Sequence, residues 1–179
     1  MRLKSMAISA VGLYLLVFVP MMLAAPQNEA CDLPHDLQGE ISSKYRGAKL
    51  VTISDLDDYD RRLFQKDHGK SCPGLVRVDF YGDKKPTLAL VLTTGDGANQ
   101  KAELVVAHKL GENWTTVLFD SAGSSVPVVW RQAPGTYKDV YGKKTIRATK
   151  PVIVFCGYGS WAIVYAWTLK GVDKVWLAD

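Results

Sequence analysis

Apolar positions recur every four residues before residue 72 and in short alternating runs after it. Leu33, Leu37, Ile41 and Tyr45 form one stripe of a helix that Pro34 opens and Gly47 ends. Residues 48–53 (AKLVTI) predict a short strand. Ser54 is placed to cap a second helix running to about Asp67. Asp55, Asp57 and Asp58 sit in its first turn, where the helix dipole favours anions. Leu56, Tyr59, Leu63 and Phe64 line its predicted buried side, and Gly69 stops it. Beyond Cys72 the pattern predicts strands at 75–80, 87–93, 102–109, 114–119, 126–131, 144–149, 151–156, 160–168 and 172–177. The links between them are short, which favours antiparallel neighbours. The expected architecture is α+β: two N-terminal helices packed on an antiparallel meander sheet of about seven to nine strands.

One strand carries more information than the others. Across SWAIVYAWT the odd positions are Trp161, Ile163, Tyr165 and Trp167, and the even ones Ala162, Val164 and Ala166. Side chains alternate across a strand, so one face is large and the other small. The small face admits close approach by a helix. The large face either fills a core or presents a binding surface, and filling the core is the commoner outcome.

The first 25 residues predict a cleaved signal peptide: Arg2 and Lys4, an apolar run from Val11 to Leu23, then Ala24-Ala25. The run is too short and broken for a membrane span, which needs about 20 apolar residues, so cleavage is preferred over a retained N-terminal anchor and no stable membrane insertion is expected afterwards. Residues 26–179 are then a single domain, periplasmic or secreted. The net charge of +4 falls further when Arg2 and Lys4 leave, so no general case for nucleic acid arises. Charge is unevenly spread, however. Residues 32–60 are acidic, while residues 131–150 carry Arg131, Lys138, Lys143, Lys144, Arg147 and Lys150 against Asp139. Three cysteines in an exported chain imply one disulfide and one free thiol. Three pairings are open; Cys31 with Cys72 is preferred, because each borders a predicted helix. Cys156, in PVIVFC, is then a buried thiol acting as a small apolar residue.

The segment Asp79-Phe80-Tyr81-Gly82-Asp83-Lys84-Lys85-Pro86-Thr87 resembles the calcium loops of FG-GAP and dockerin-like proteins, typified by D-F-N-G-D-G-K-P-D before an apolar strand. That resemblance implies a calcium-dependent surface module using Asp79 and Asp83. The residues themselves point elsewhere. Tyr81 stands where an oxygen ligand belongs, Lys84 replaces the turn glycine and Thr87 the last acidic ligand. We read a hairpin turn without metal, with Val76, Val78 and Phe80 facing the core and Arg77 and Asp79 outward. Together with HGKSCPG and a final aromatic strand pair, the segment also resembles small exported bacterial proteins of unassigned function. This implies an envelope or secreted α+β domain and no particular activity.

No metalloprotease, redox or phosphate-loop motif occurs. GYGSW (157–161) is not a nucleophile elbow. His35, His68 and His108 are scattered, His108 on the strand side shared by Leu104 and Val106. No catalytic residue, metal or cofactor is therefore assigned. The expected function is binding of another macromolecule, a protein partner in the cell envelope, as an inhibitor or immunity protein would. Tyr81, Asp83, Asp79, Trp161 and Trp167 are its candidate anchors. The alternatives are a hydrolase assembled from residues such as His68, Asp67 and Asp83, and the calcium-dependent module.

Overall fold

A computed structural model describes residues 31–123 and 125–178. The signal peptide expected at 1–25 and the start of the domain at 26 lie outside them. Helix α1 spans His35–Lys44, as the four-residue spacing predicts, and buries Leu37 and Ile41. Strand β1 (Lys49–Leu50) follows. Helix α2 is Asp58–His68, three residues later in its start than the Ser54 cap implies. Ser54 belongs instead to a short 3-10 turn, Ile53–Asp55. Asp57 is the cap that forms, accepting hydrogen bonds from the Tyr59 and Asp60 N–H groups. With that start the buried side of α2 centres on Phe64, and Tyr59 is exposed rather than buried.

The rest of the chain is β: β2 (Leu75–Arg77), β3 (Thr87–Thr94), β4 (Lys101–Leu110), β5 (Asn113–Ala122), β6 (Val128–Gln132), β7 (Gly135–Lys138), β8 (Thr145–Ala148), β9 (Val152–Gly157), β10 (Trp161–Thr168) and β11 (Gly171–Ala178). All the pairings are antiparallel. They do not form one meander. One sheet runs β1-β3-β4-β5, with β2 also paired to β3. A second runs β11-β10-β9-β6, and β7 pairs β8 as a separate hairpin.

Three apolar clusters show how these pieces stack. Ala89, Val91, Leu104 and Val106 of the first sheet meet Val129, Ile153, Phe155, Ile163 and Tyr165 of the second, with Phe64, Val78 and Phe80. On the outer face of the first sheet, Leu88, Leu90, Leu92 and Val105 pack against Leu37 and Ile41 of α1. On the outer face of the second, Val152, Val154, Val164 and Ala166 pack against Tyr137, Ile146 and Ala148 of the hairpin. The molecule is thus a two-sheet sandwich covered on one side by α1 and on the other by β7–β8. The two helices do not share a sheet face, because α2 contributes to the central cluster and α1 to an outer one. The small face of β10 is covered by a hairpin rather than a helix. β3 reads as a continuous apolar run because both its faces are covered.

Cys31 and Cys72 form a disulfide across 41 residues, and Cys156 is free and buried. Burial pushes the Cys156 thiol up to about 12, with Asp60 adding to the shift, so it is inert at neutral pH. The disulfide fits an oxidising compartment. Among the described residues, no helix is long and apolar enough to cross a membrane.

Candidate functional site

At one end of the sandwich, the antiparallel register places Thr87 of β3 opposite His108 of β4. Between β2 and β3 the chain leaves the ladder after Arg77, although the Val78 N–H still donates to the Thr87 carbonyl at 3.0 Å. Val78 and Phe80 are buried, as the alternation predicts, and the loop 79–86 emerges over them. Its two carboxylates brace it. Asp79 Oδ1 accepts from the Lys84 N–H at 3.2 Å, and Asp83 Oδ1 from the Lys85 N–H at 3.1 Å. Lys84 takes a left-handed φ of 62°. Gly82, with φ 69°, lies under the Lys150 side chain, which a Cβ there would displace. Lys150 Nζ donates to the Tyr81 carbonyl and so ties the loop to the segment between β8 and β9.

From this loop Asp83 reaches His108: Oδ2 lies 3.1 Å from Nε2, and on the far side of the ring Nδ1 lies 2.8 Å from Thr87 Oγ1. The Tyr81 ring covers His108 at 4.4 Å between centroids and meets Trp167 of β10 edge-on at 5.0 Å. Phe80 backs both aromatics. Desolvation alone would raise the Asp83 pKa. The Lys85 N–H, the charges of His108 and Lys85 and the His108 hydrogen bond outweigh it and hold the carboxyl below the ordinary carboxylate range. Burial, with Asp83 nearby, pushes the Tyr81 phenol up, so it stays neutral.

An Asp–His–Thr chain has the composition of an acid, base and hydroxyl relay. Here Thr87 is only 2% exposed and Tyr81 lies over the imidazole, so the hydroxyl has no room for a substrate. What the arrangement does physically is fix the loop, holding Tyr81 and Asp83 in one geometry at the surface.

The five anchors nominated by the sequence therefore separate. Tyr81, Asp83 and Trp167 come together. Asp79 stays within the loop as a backbone acceptor. Trp161 lies at the other end of β10, packed edge-on against Phe155 at 4.9 Å and Trp176 at 6.4 Å. Among the described residues no hydrogen bond or ion pair joins Asp83 to His68, two of the three residues named for a hydrolase. Asp83 pairs with His108, whereas His68 sits between the Phe64 and Trp130 rings, each at 4.8 Å, where burial lowers its basicity. Sequence reasoning missed His108, Thr87 and Lys150 as members of the site. The usable signal was the position of His108 on the inward face of its strand, but its partner depends on the register between β3 and β4.

Among the described residues no group of three His, Cys, Asp or Glu side chains could hold a metal ion. The Asp79 and Asp83 oxygens named above are engaged by backbone N–H groups and by His108. Comparison with family models, curated proteins and solved structures returned no match.

Proposed function

We propose that this chain is an exported envelope protein that acts by binding another macromolecule, a protein partner, in the manner of an inhibitor or immunity protein. The observation that carries the reading is the braced loop. Tyr81 and Asp83 are held by His108, Trp167 and Lys150, so an aromatic and a carboxylate are presented at little cost in ordering on binding. Residues 32–60 are acidic and the β7–β8 hairpin is basic, an uneven spread of charge that supports electrostatic orientation of such a partner. Affinity capture from a periplasmic extract tests it: one stoichiometric partner is expected with the unaltered chain and none with Tyr81→Ala.

The Asp83–His108–Thr87 chain favours one second reading, a hydrolase with Thr87 as nucleophile. Burial of Thr87 stands against it. A fluorophosphonate probe should leave the protein unlabelled; labelling abolished by Thr87→Val would establish the second reading instead.

A further inference from the structure

Beside the braced loop lies a cleft of about 320 Å³ lined by Arg77, Lys84, Lys85 and Arg131, with Asp79 the one carboxylate in its wall. It joins the two sheets. The Val129 N–H donates to the Pro73 carbonyl at 2.8 Å, which holds β6 against the chain entering β2. On its other side this chain lies against Val51, where a Cβ on Gly74 would stand 2.3 Å from the Val51 carbonyl oxygen. Arg77 on β2 and Arg131 on β6 are thereby brought to one opening from different sheets. Both are exposed, and neither guanidinium has a hydrogen-bond or ion-pair partner among the described residues. The Lys84 ammonium has none either, while its backbone is pinned in the left-handed region by Asp79. Lys85 faces only Asp83, at 3.9 Å. The floor is rigid: Val78 and Thr87 are buried residues of the β2–β3 junction.

We infer that this cleft is a binding site for a phosphoryl group. With Lys85 partly met by Asp83, three further cations face Asp79 alone, which calls for more than a single negative charge. A phosphate monoester carries about −1.5 to −2 at neutral pH, which a carboxylate does not match. Two guanidiniums supply planar forks suited to phosphate oxygens, and the lysines add point charge. The cleft is open to one side, so it admits a headgroup-sized anion without enclosing the molecule that bears it. The bearer is either a lipid headgroup or a soluble phosphate compound. The cleft lining includes none of Tyr81, Trp167 or His108, although Lys84 and Lys85 belong to the same loop and Lys85 faces Asp83.

The test is an NMR titration of the chain with inorganic pyrophosphate, joined to co-sedimentation with phosphatidylcholine vesicles containing phosphatidic acid. Saturable shifts are expected at the Arg77 and Arg131 Nε–H groups and the Lys84 and Lys85 amides. Arg77→Ala with Arg131→Ala should weaken binding at least tenfold. Arg147→Ala, an equal loss of charge per site on the outer hairpin, should change it less than twofold. These positions are exposed, so an unchanged melting temperature confirms that the variants are folded. Co-sedimentation that pyrophosphate competes away assigns the group to a lipid headgroup; pyrophosphate binding without co-sedimentation assigns it to a soluble compound. Absence of saturable shifts, or equal weakening by Arg147→Ala, overturns the proposal.

Discussion

The two ends of β10 begin from the same sequence pattern and finish as different things. Trp161 and Trp167 both lie on the large face of one strand. At the Trp161 end the neighbours are Phe155 and Trp176, rings against rings. At the Trp167 end the neighbour is Tyr81, and behind it stand His108, Asp83 and Thr87 in a hydrogen-bonded chain. The difference teaches that a large aromatic face is not by itself a surface for binding. What distinguishes the two ends is the polar residue that the facing sheet contributes, and that depends on strand pairing rather than on the strand's own composition.

The largest expected effect leaves both ends equally weakened. Cys31→Ser with Cys72→Ser opens a 41-residue loop, and chain entropy alone puts the loss at about 4 kcal/mol. Urea denaturation should show that loss; a variant of unchanged stability would mean that α1 covers the first sheet without help from its tether. Trp161→Ala should cost about 3 kcal/mol, the lower end for a large aromatic because the residue is only half-buried. It should leave partner capture intact. Capture lost with Trp161→Ala in a protein shown to be folded would erase the distinction between the two ends.

Smaller effects probe the loop. Thr87→Val removes the hydroxyl from His108 Nδ1 and should cost about 1–2 kcal/mol. Hydrogen exchange should show the Lys84 and Lys85 amides, which Asp79 and Asp83 hold, opening faster, while amides near Trp161 stay unchanged. Faster exchange at both ends would mean that the chain of hydrogen bonds is a general support and not a local brace. The smallest effect is a titration. Asp83 is held below the ordinary carboxylate range in the folded protein. Its contribution to stability is therefore fully present above the unfolded value, about 4, and is lost as pH falls through the lower folded one. Carbon-detected NMR of the Asp83 carboxyl should place its midpoint below that of a free aspartate. His108→Ala should move it upward; an unmoved midpoint would remove His108 as its partner.

Much of the architecture was legible because local rules settle it. The four-residue stripe in α1, the predicted strands at β4 and β9 and the alternation of large and small residues in β10 survive into the structure, since each buries one or both faces against a neighbour. The preferred Cys31–Cys72 pair forms. The number of sheets was not legible. A chain of short antiparallel links reads identically whether it stays in one sheet or crosses to a second, and the crossing is decided by which apolar faces meet. β7 was missed because Gly135-Thr136-Tyr137-Lys138 offers only Tyr137 to a core. The site was half legible. Tyr81 and Asp83 stood out in an unusual loop, but Lys150 and His108 reach it from 69 and 25 residues away in the chain.

The claim on which all of this rests is that the braced end of the sandwich, and not the aromatic end, meets a partner. Quantitative binding of the captured partner to Tyr81→Ala and Trp161→Ala, side by side, tests it directly. The account predicts at least tenfold weaker binding for Tyr81→Ala and unchanged binding for Trp161→Ala. Equal affinity for both variants, or loss only with Trp161→Ala, would contradict it.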